Sequence, residues 1–512
     1  MSRPARIELE HRILVAGPAY QYLWIDVSRD VRISEPVELD YGIRGSSPVD
    51  LVAGIGTLTF ALDNSEANVA GTVGWYSFDH VNRWPAFRLG MRVRLTIDER
   101  VKFVGTLDYA EPVPGRSGSR LVRCRAVDWM DEATRCRITG IPAQVGKRGD
   151  EIFAAIVAAI PRQPEAVSVG LGRDRFDYAL DSGRDEKTNA ATEFQRLCQS
   201  ELGHIYLRGD GTLVFEGRHA RIGNPVNVAT FDGTKIVALA ADRARNEVVN
   251  RVQVTVHPRR VDASPVVLFE LLNSAEVAPG QTIMILGPYR DPLLRAARAG
   301  GTDMVPPVAG TDYTAFTVAG GTGIDVTATL TVVTSFGGTG VRFDITNNGT
   351  RVAYVNKLQA RGIGLYDYEP AVVIVEDATS QADYGLNEMS LDMPYQSRPG
   401  RGEGIGSYIL SLQRNALTNL RSVTVEGNTS DDLMDQALDR EISDRIGVAE
   451  SVTGLSTADR VGYYINAVSL SLRDKDRITV TWTLTPADTG RYWILGVPGY
   501  SELGVTTLPA PV

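Results

Sequence analysis

Apolar residues at every second position constrain this chain more than any other feature. Met91, Val93, Leu95 and Ile97 alternate with Arg92, Arg94, Thr96 and Asp98. Leu58, Phe60 and Leu62 share a face, and Val122, Cys124 and Ala126 alternate with Arg123 and Arg125. Tyr464 to Leu472 and Ile478 to Leu484 repeat the pattern around Arg473-Asp474-Lys475-Asp476-Arg477, the clearest hairpin in the chain. Successive side chains of a strand point to opposite faces, so a period of two means half-buried strands. The runs are short and broken by turn chemistry, in keeping with 50 glycines and 25 prolines. The expected fold class is therefore mainly β (β-barrels and a β-sandwich) with a small α+β module. At about 150 residues per domain, the length gives three or four domains.

Residues 1-135 read as an N-terminal β-barrel, with Pro112 to Gly118 as a loop by composition. Over 136-235 the period changes to an α+β module. Asp150 is placed to cap a helix carrying Ile152, Phe153, Ile156, Val157 and Ile160, which Pro161 ends. A second helix over 189–202 turns Phe194, Leu197, Cys198 and Leu202 inward and stops at Gly203. His204 to Leu207 and Thr212 to Glu216 form a hairpin around Asp210-Gly211. Residues 236-287 return to β patterning, as in Asn250 to Val256. Residues 288-370 read as an inserted immunoglobulin-like sandwich of low charge: from Thr302 to Thr350 only Asp303, Asp312, Asp325, Arg342 and Asp344 are charged. There Val326, Ala328, Leu330 and Val332 alternate, as do Val341, Phe343 and Ile345, before a turn at Asn347-Asn348-Gly349-Thr350. Residues 371-512 form a second β-barrel region with two helices, over 405–420 and 430–445, the latter with Asp431 and Asp432 in its first turn.

The chemistry-bearing motifs are sparse. A net charge of -9 argues against broad nucleic-acid gripping, which needs basic surplus. Cys124, Cys136 and Cys198 make no disulfide framework, and Cys124 and Cys198 read as small core residues. His11, His80, His204, His219 and His257 are scattered, without metal-ligand spacing. Gly140 to Arg148 resembles a phosphate loop, with one residue too many between its glycines and Arg148 where a hydroxyl should hold Mg²⁺. Gly400-Arg401-Gly402-Glu403-Gly404-Ile405-Gly406 fails the dinucleotide spacing and reads as a mobile or interface loop before a helix. Arg208-Gly209-Asp210 is explained by the hairpin turn. Asn348-Gly349-Thr350 and Asn428-Thr429-Ser430 match the glycosylation pattern, but the N-terminus lacks the apolar segment of a secretory signal, and no apolar run reaches the ~20 residues of a membrane span. Among 62 acidic residues, spacing selects no catalytic pair. Trp75, Tyr76, Phe78 and Trp84, with His80 and Arg83, could stack on a sugar or base; a strand-edge core or a subunit contact is the other reading. No catalytic, cofactor-binding or metal-ligating residue is assigned, and no cofactor is expected.

The runs Gly56 to Asn64 (GTLTFALDN), Phe87 to Leu95 (FRLGMRVRL), Phe103 to Asp108 (FVGTLD) and Val122 to Asp128 (VRCRAVD) resemble the N-terminal region of phage tail-tip (baseplate) hub proteins. Tyr464 to Leu484, Tyr492 to Gly496 and Tyr500 to Gly504 resemble the end of minor tail proteins of long-tailed bacteriophages. Asn347 to Gly349, Ala353-Tyr354 and Leu358 to Gly362 resemble the inserted sandwich of the same group. The resemblance implies a non-enzymatic structural protein with two similar barrels per chain. Three chains would form a hub ring adapting a six-fold tail tube to a three-fold tip and framing the channel for DNA exit. It implies a homotrimer that meets the tail tube or distal tail protein, the tape measure protein, and tip or fibre proteins. DNA would be present only transiently in the lumen. The location implied is the virion tail tip, after assembly in the host cytoplasm. The alternative is a carbohydrate-binding or cell-wall-degrading tail-associated protein, motivated by the aromatic cluster and the sandwich. A subunit of a contractile injection machine is a third reading.

Overall fold

The computed structural model describes residues 5–14, 20–32, 34–45, 47–115, 120–138, 141–180, 188–291, 299–416, 419–450, 462–474 and 476–487. The runs Tyr492 to Gly496 and Tyr500 to Gly504 lie outside them, as do Arg116 to Gly118 and Gly140. Strands dominate, with a few helices, so the fold is mainly β and multi-sheet.

The alternating runs at the two ends of the chain meet in one thirteen-stranded sheet. From one edge, its path runs through Ile236–Asp242, Asn419–Glu426, Arg477–Pro486 and Tyr463–Arg473. It continues through Val37–Gly42, Thr57–Asp63, Leu121–Val127, Arg100–Val113, Arg92–Ile97 and Ala5–Leu14 to Tyr20–Asp26. Arg445–Ala449 pairs beside Tyr463–Arg473, and Ala229–Asp232 beside Arg445–Ala449. The hinge is the antiparallel pairing of Val37–Gly42 with Tyr463–Arg473, in which Leu39 faces Leu470 and Tyr41 faces Val468. Closed barrels are not formed: no pairing among the described residues joins the ends of the path. The edges that could have closed two barrels instead join the two ends of the chain. The faces given by the alternation hold. Leu58, Leu62, Met91, Val93, Leu95, Ile97, Val122 and Ala126 are fully buried, in one core with Val423, Val480 and Trp482. Pro112 and Val113 belong to the strand that ends at Val113 rather than to a loop. Its pairing with Leu121–Val127 carries through to Val113↔Leu121.

A second core gathers the helical module. Ile152, Phe153, Ile156 and Ile160 meet Phe194, Leu197, Cys198 and Phe215, all buried. The first helix spans Gly149–Ala158 and begins after Arg148, not at Asp150. Glu151 accepts the Arg148 N–H at 3.0 Å, while the Asp150 carboxylate is taken by the Arg148 guanidinium and the Gly172 N–H. The second helix, Ala190–Glu201, is capped by Asn189, whose side chain accepts the Thr192 N–H at 2.7 Å. Leu202, not Gly203, takes the left-handed turn, at φ 54. Gly203 is needed for a different reason, since a Cβ there would sit 2.4 Å from the Glu216 carbonyl. The hairpin after it forms as expected, with Ile205 opposite Phe215 and Gly211 at φ +85.

The same core extends onto a three-stranded sheet in which Arg251–Val256 pairs antiparallel with Ala371–Glu376 and parallel with Glu388–Met393. A helix covers this sheet over Pro399–Gln413, earlier than expected, and a strand, Asn419–Glu426, follows it. The glycine-rich stretch is therefore the start of a helix, with Pro399 in its first turn. A Cβ on Gly402 would lie 3.0 Å from Val256 Cγ1, and one on Gly406 would lie 3.1 Å from Val375 Cγ2. These glycines let the helix approach the sheet. The last helix, Asp431–Asp439, is shorter than expected and is capped by Ser430, whose hydroxyl accepts the Leu433 N–H at 3.1 Å.

A third core lies in a sandwich. The long strand Ala353–Asp367 pairs with Arg259–Val261, Val266–Glu270, Ala275–Val277, Ala299–Val305 and Tyr313–Val318. Thr282–Pro288, Gly340–Asn347 and Leu330–Phe336 form the facing sheet. Val341, Phe343 and Ile345 point inward as expected. The run from Val326 is not one strand: a 3₁₀ turn, Thr327–Thr329, precedes Leu330–Phe336. It forms because the Thr327 N–H is held by Asp325 at 2.8 Å and the Thr329 N–H by the Val326 carbonyl. The sandwich enters and leaves at adjacent points, with the Tyr368 N–H donating to the Pro258 carbonyl at 3.1 Å.

Candidate functional site

The sequence motifs do not converge on one site. Lys147 and Arg148 of the phosphate-loop lookalike are engaged by Glu151 and Asp150. His257 pairs with Asp392 at 2.7 Å. His204 is half-buried near the Arg221 guanidinium; desolvation first, then that charge, hold its pKa well below the usual imidazole value. Cys124 and Cys198 are buried, and burial pushes both thiols up. Among the described residues no group of three or more His, Cys, Asp or Glu is placed to hold a metal ion.

The aromatic cluster faces the protein. Tyr76 is fully buried and Trp84 is 8% exposed. Trp75 stacks on Trp84, and Tyr76 meets Trp84 and Phe87 edge to face. The Tyr76 hydroxyl donates to Asp30 Oδ2 at 2.6 Å, and Asp30 Oδ1 accepts the Val69 N–H at 2.8 Å. Of the two readings of these rings, core packing is the one realised. They anchor the strand-free segment between Thr57–Asp63 and Arg92–Ile97 to the main sheet.

Polar groups concentrate where distant parts of the chain are joined. The Lys102 ammonium is buried and donates to the Leu438 carbonyl at 2.9 Å and to Glu441 Oε1 at 2.6 Å. The Tyr41 hydroxyl, 400 residues from its partner in sequence, donates to Glu441 Oε2 at 2.8 Å. Beside it, Arg221 donates to Ser443 Oγ and Asn466 Oδ1, both at 2.9 Å. Glu216 accepts from the Tyr206 and Ser443 hydroxyls at 2.9 and 2.5 Å. This joint ties the helical module's hairpin to the C-terminal strands. A second joint centres on Asp174, which takes Arg218 at 3.3 Å, Gln396 at 3.2 Å and Arg401 at 3.2 Å. Glu201 alongside accepts the Arg173 N–H at 2.6 Å and the Asp174 N–H at 3.2 Å. Burial nonetheless pushes its carboxyl up to about 7. Of these residues, Arg401 lay in the glycine-rich stretch and Tyr206 and Glu216 in the hairpin read from the sequence, but none was picked out for a polar contact. Lys102, the one lysine on a strand's buried side among the described residues, carried the nearest thing to a signal.

The two ends of the main sheet's path expose apolar side chains. Tyr22, Leu23 and Ile25 are exposed on the edge strand Tyr20–Asp26, as is Val237 on Ile236–Asp242. Trp24 on the first edge is covered by Arg92 and Arg94, with guanidinium carbons 5.4 and 4.5 Å from the ring centre.

No family model matches the chain, and no curated protein matches it. Among solved structures it is similar to a tail protein from Neisseria meningitidis MC58. That likeness has 11% identity and a TM-score of 0.48, over 95% of this chain and 97% of the other. It is also similar to the 43 kDa tail protein of prophage MuSo2 from Shewanella oneidensis, at 10% identity and a TM-score of 0.48, over 94% of this chain and 98% of that one. A third likeness is to the E. coli c3393 protein, described as a component of the type VI secretion system with structural similarity to the T4 bacteriophage tail proteins gp27 and gp5. It has 9% identity and a TM-score of 0.35, over 89% of this chain and 74% of that one.

Proposed function

We propose that the chain is a structural subunit of a phage tail tip. In this reading it is a hub-ring component that adapts a six-fold tube to a three-fold tip and lines the channel through which DNA leaves. One observation carries the reading: both ends of the chain build a single open sheet, while the helical module and the sandwich have cores of their own. Among the described residues the two ends of the sheet's path are different free edges, as a head-to-tail ring requires. The motifs of the resemblance lie largely on that sheet, from Gly56 to Asp128 and from Tyr464 to Leu484. The division proposed is a frame drawn from both ends of the chain together with Ala229–Asp232 and Ile236–Asp242, a helical module whose core extends onto Arg251–Val256, Ala371–Glu376 and Glu388–Met393, and a sandwich inserted over 259–367. The partners proposed are two further copies, a tail tube or distal tail protein, a tape measure protein, and tip or fibre proteins. The net charge of -9 suits a conduit that DNA crosses without sticking.

The experiment is light scattering on the purified chain together with imaging of assembled particles. Three copies in a ring at the tail tip are expected. A strict monomer that never associates with tail components would overturn the reading. The glycan alternative would have to rest on Trp75, Phe78 and the sandwich, since Tyr76 and Trp84 are buried.

A further inference from the structure

We infer that the ring is closed by pairing the Tyr20–Asp26 edge of one copy with the Ile236–Asp242 edge of the next, antiparallel; the inference rests on the ring reading above. Among the described residues, Tyr20–Asp26 pairs with Ala5–Leu14 alone, and Ile236–Asp242 with Asn419–Glu426 alone. Each offers an unmatched row of backbone groups. Both strands have seven residues. Neither YQYLWID nor IVALAAD contains Lys, Arg, Pro or Gly, residues that commonly guard an edge against pairing. Instead both expose apolar side chains, with Tyr22 at 54%, Leu23 at 41% and Val237 at 61%.

The first edge is also short of support. Ala5–Leu14 pairs with Arg92–Ile97 only as far as Leu9↔Val93, whereas its pairing with Tyr20–Asp26 continues to Leu14↔Tyr20. The outer half is a two-stranded ribbon, which is marginal in water unless something covers it. Charge sets the orientation. Each strand ends in its single acid, Asp26 and Asp242. Parallel pairing would set these like charges side by side, which is destabilising. Antiparallel pairing separates them by the length of the strand and brings Asp26 next to Lys235 of the following copy. In that register Ile25 faces Val237 and Leu23 faces Leu239. The contact joins unlike surfaces, so it propagates head to tail and ends only when the ring closes.

The test uses the full chain with Cys136→Ser, leaving Cys124 and Cys198 buried. Ile25→Cys with Val237→Cys, and separately Leu23→Cys with Leu239→Cys, are oxidised and run on non-reducing gels, with light scattering of the same samples. Covalent dimers and trimers from at least one double variant, and none from the single variants, are expected. Val237→Lys should weaken association at least tenfold without changing the circular dichroism spectrum. An oligomer by light scattering that gives no cross-link with either pair overturns the edge pairing and leaves the ring reading standing. A cross-link confined to the monomer also overturns it, because the edges then meet within one chain. A monomer by light scattering overturns the ring reading and this inference together.

Discussion

Lys102 has a side chain only 3% exposed, and its ammonium is satisfied by the Leu438 carbonyl and Glu441. A buried charge of this kind is tolerated only because its partners come with the fold, and removing one partner strands the other. Lys102→Met should therefore cost about 3 kcal/mol in urea unfolding. Adding Glu441→Gln should recover part of that loss; full additivity of the two changes would mean that they do not interact. Glu201 belongs to the opposite class. Its carboxyl is pushed by burial from the usual 4.5 up to about 7. The native state then holds a proton that the unfolded chain releases. The contribution of Glu201 to stability should be fullest below about pH 4.5 and be lost as pH rises towards 7, by up to about 1.4 kcal/mol per unit. Glu201→Gln should flatten that slope in a series of melts at stepped pH. An unchanged slope would assign the effect to other groups, Asp128 first, since burial also raises its carboxyl to about 7.

At the scale of elements, the helix Pro399–Gln413 shows how one residue type can have two readings. Glycines disfavour helices by about 1 kcal/mol each, so a glycine-rich stretch reads locally as loop. Here Gly402 and Gly406 are spaced four apart, on the helix face that meets Val254, Val256 and Val375. The packing gained outweighs the propensity lost. Gly406→Leu should push the helix off its sheet and destabilise the chain by about 1–3 kcal/mol, measured by chemical denaturation. Gly400→Ala, with nothing within 4 Å of its added Cβ, should be neutral or mildly stabilising. The strands were easier to read because alternation is both a sequence property and a burial property. Met91, Val93, Leu95 and Ile97 are all fully buried. Helix ends were harder. Asp150 and Gly203 are good cap residues by type, yet Arg148 and Leu202 hold the boundary positions. A side chain already engaged by tertiary partners, or a backbone pressed against a neighbouring strand, overrides cap preference.

For the whole molecule, the adjacency of Pro258 and Tyr368 makes the sandwich removable in principle. The strands on either side, Arg251–Val256 and Ala371–Glu376, pair up to Val256↔Ala371. Replacing residues 259–367 by a short Gly/Ser linker should leave a folded frame, with the main cooperative unfolding transition retained in calorimetry. Loss of that transition would make the sandwich an integral part of the frame. The charge balance gives a second expectation at this scale. Double-stranded DNA should show no mobility shift with the purified chain at physiological salt; tight binding would argue against a non-adhesive conduit.

The sequence by itself determined that the clearest alternating runs, such as Arg92 to Ile97 and Ile478 to Leu484, are strands and which of their faces are buried, because a period of two is written into the residues and solvent enforces it at each one. It also determined the turn at Asp210-Gly211, a short-range preference of the backbone. Only the tertiary structure decided that Val37–Gly42 pairs with Tyr463–Arg473 and that the two ends share an open sheet instead of closing two barrels. It alone brought Tyr41 to Glu441 and Asp174 to Arg401. The reason is physical. Alternation specifies a face but not a neighbour. Backbone hydrogen bonds are the same for every strand, so the choice of partner rests on side chains that meet only once the chain has closed over hundreds of residues.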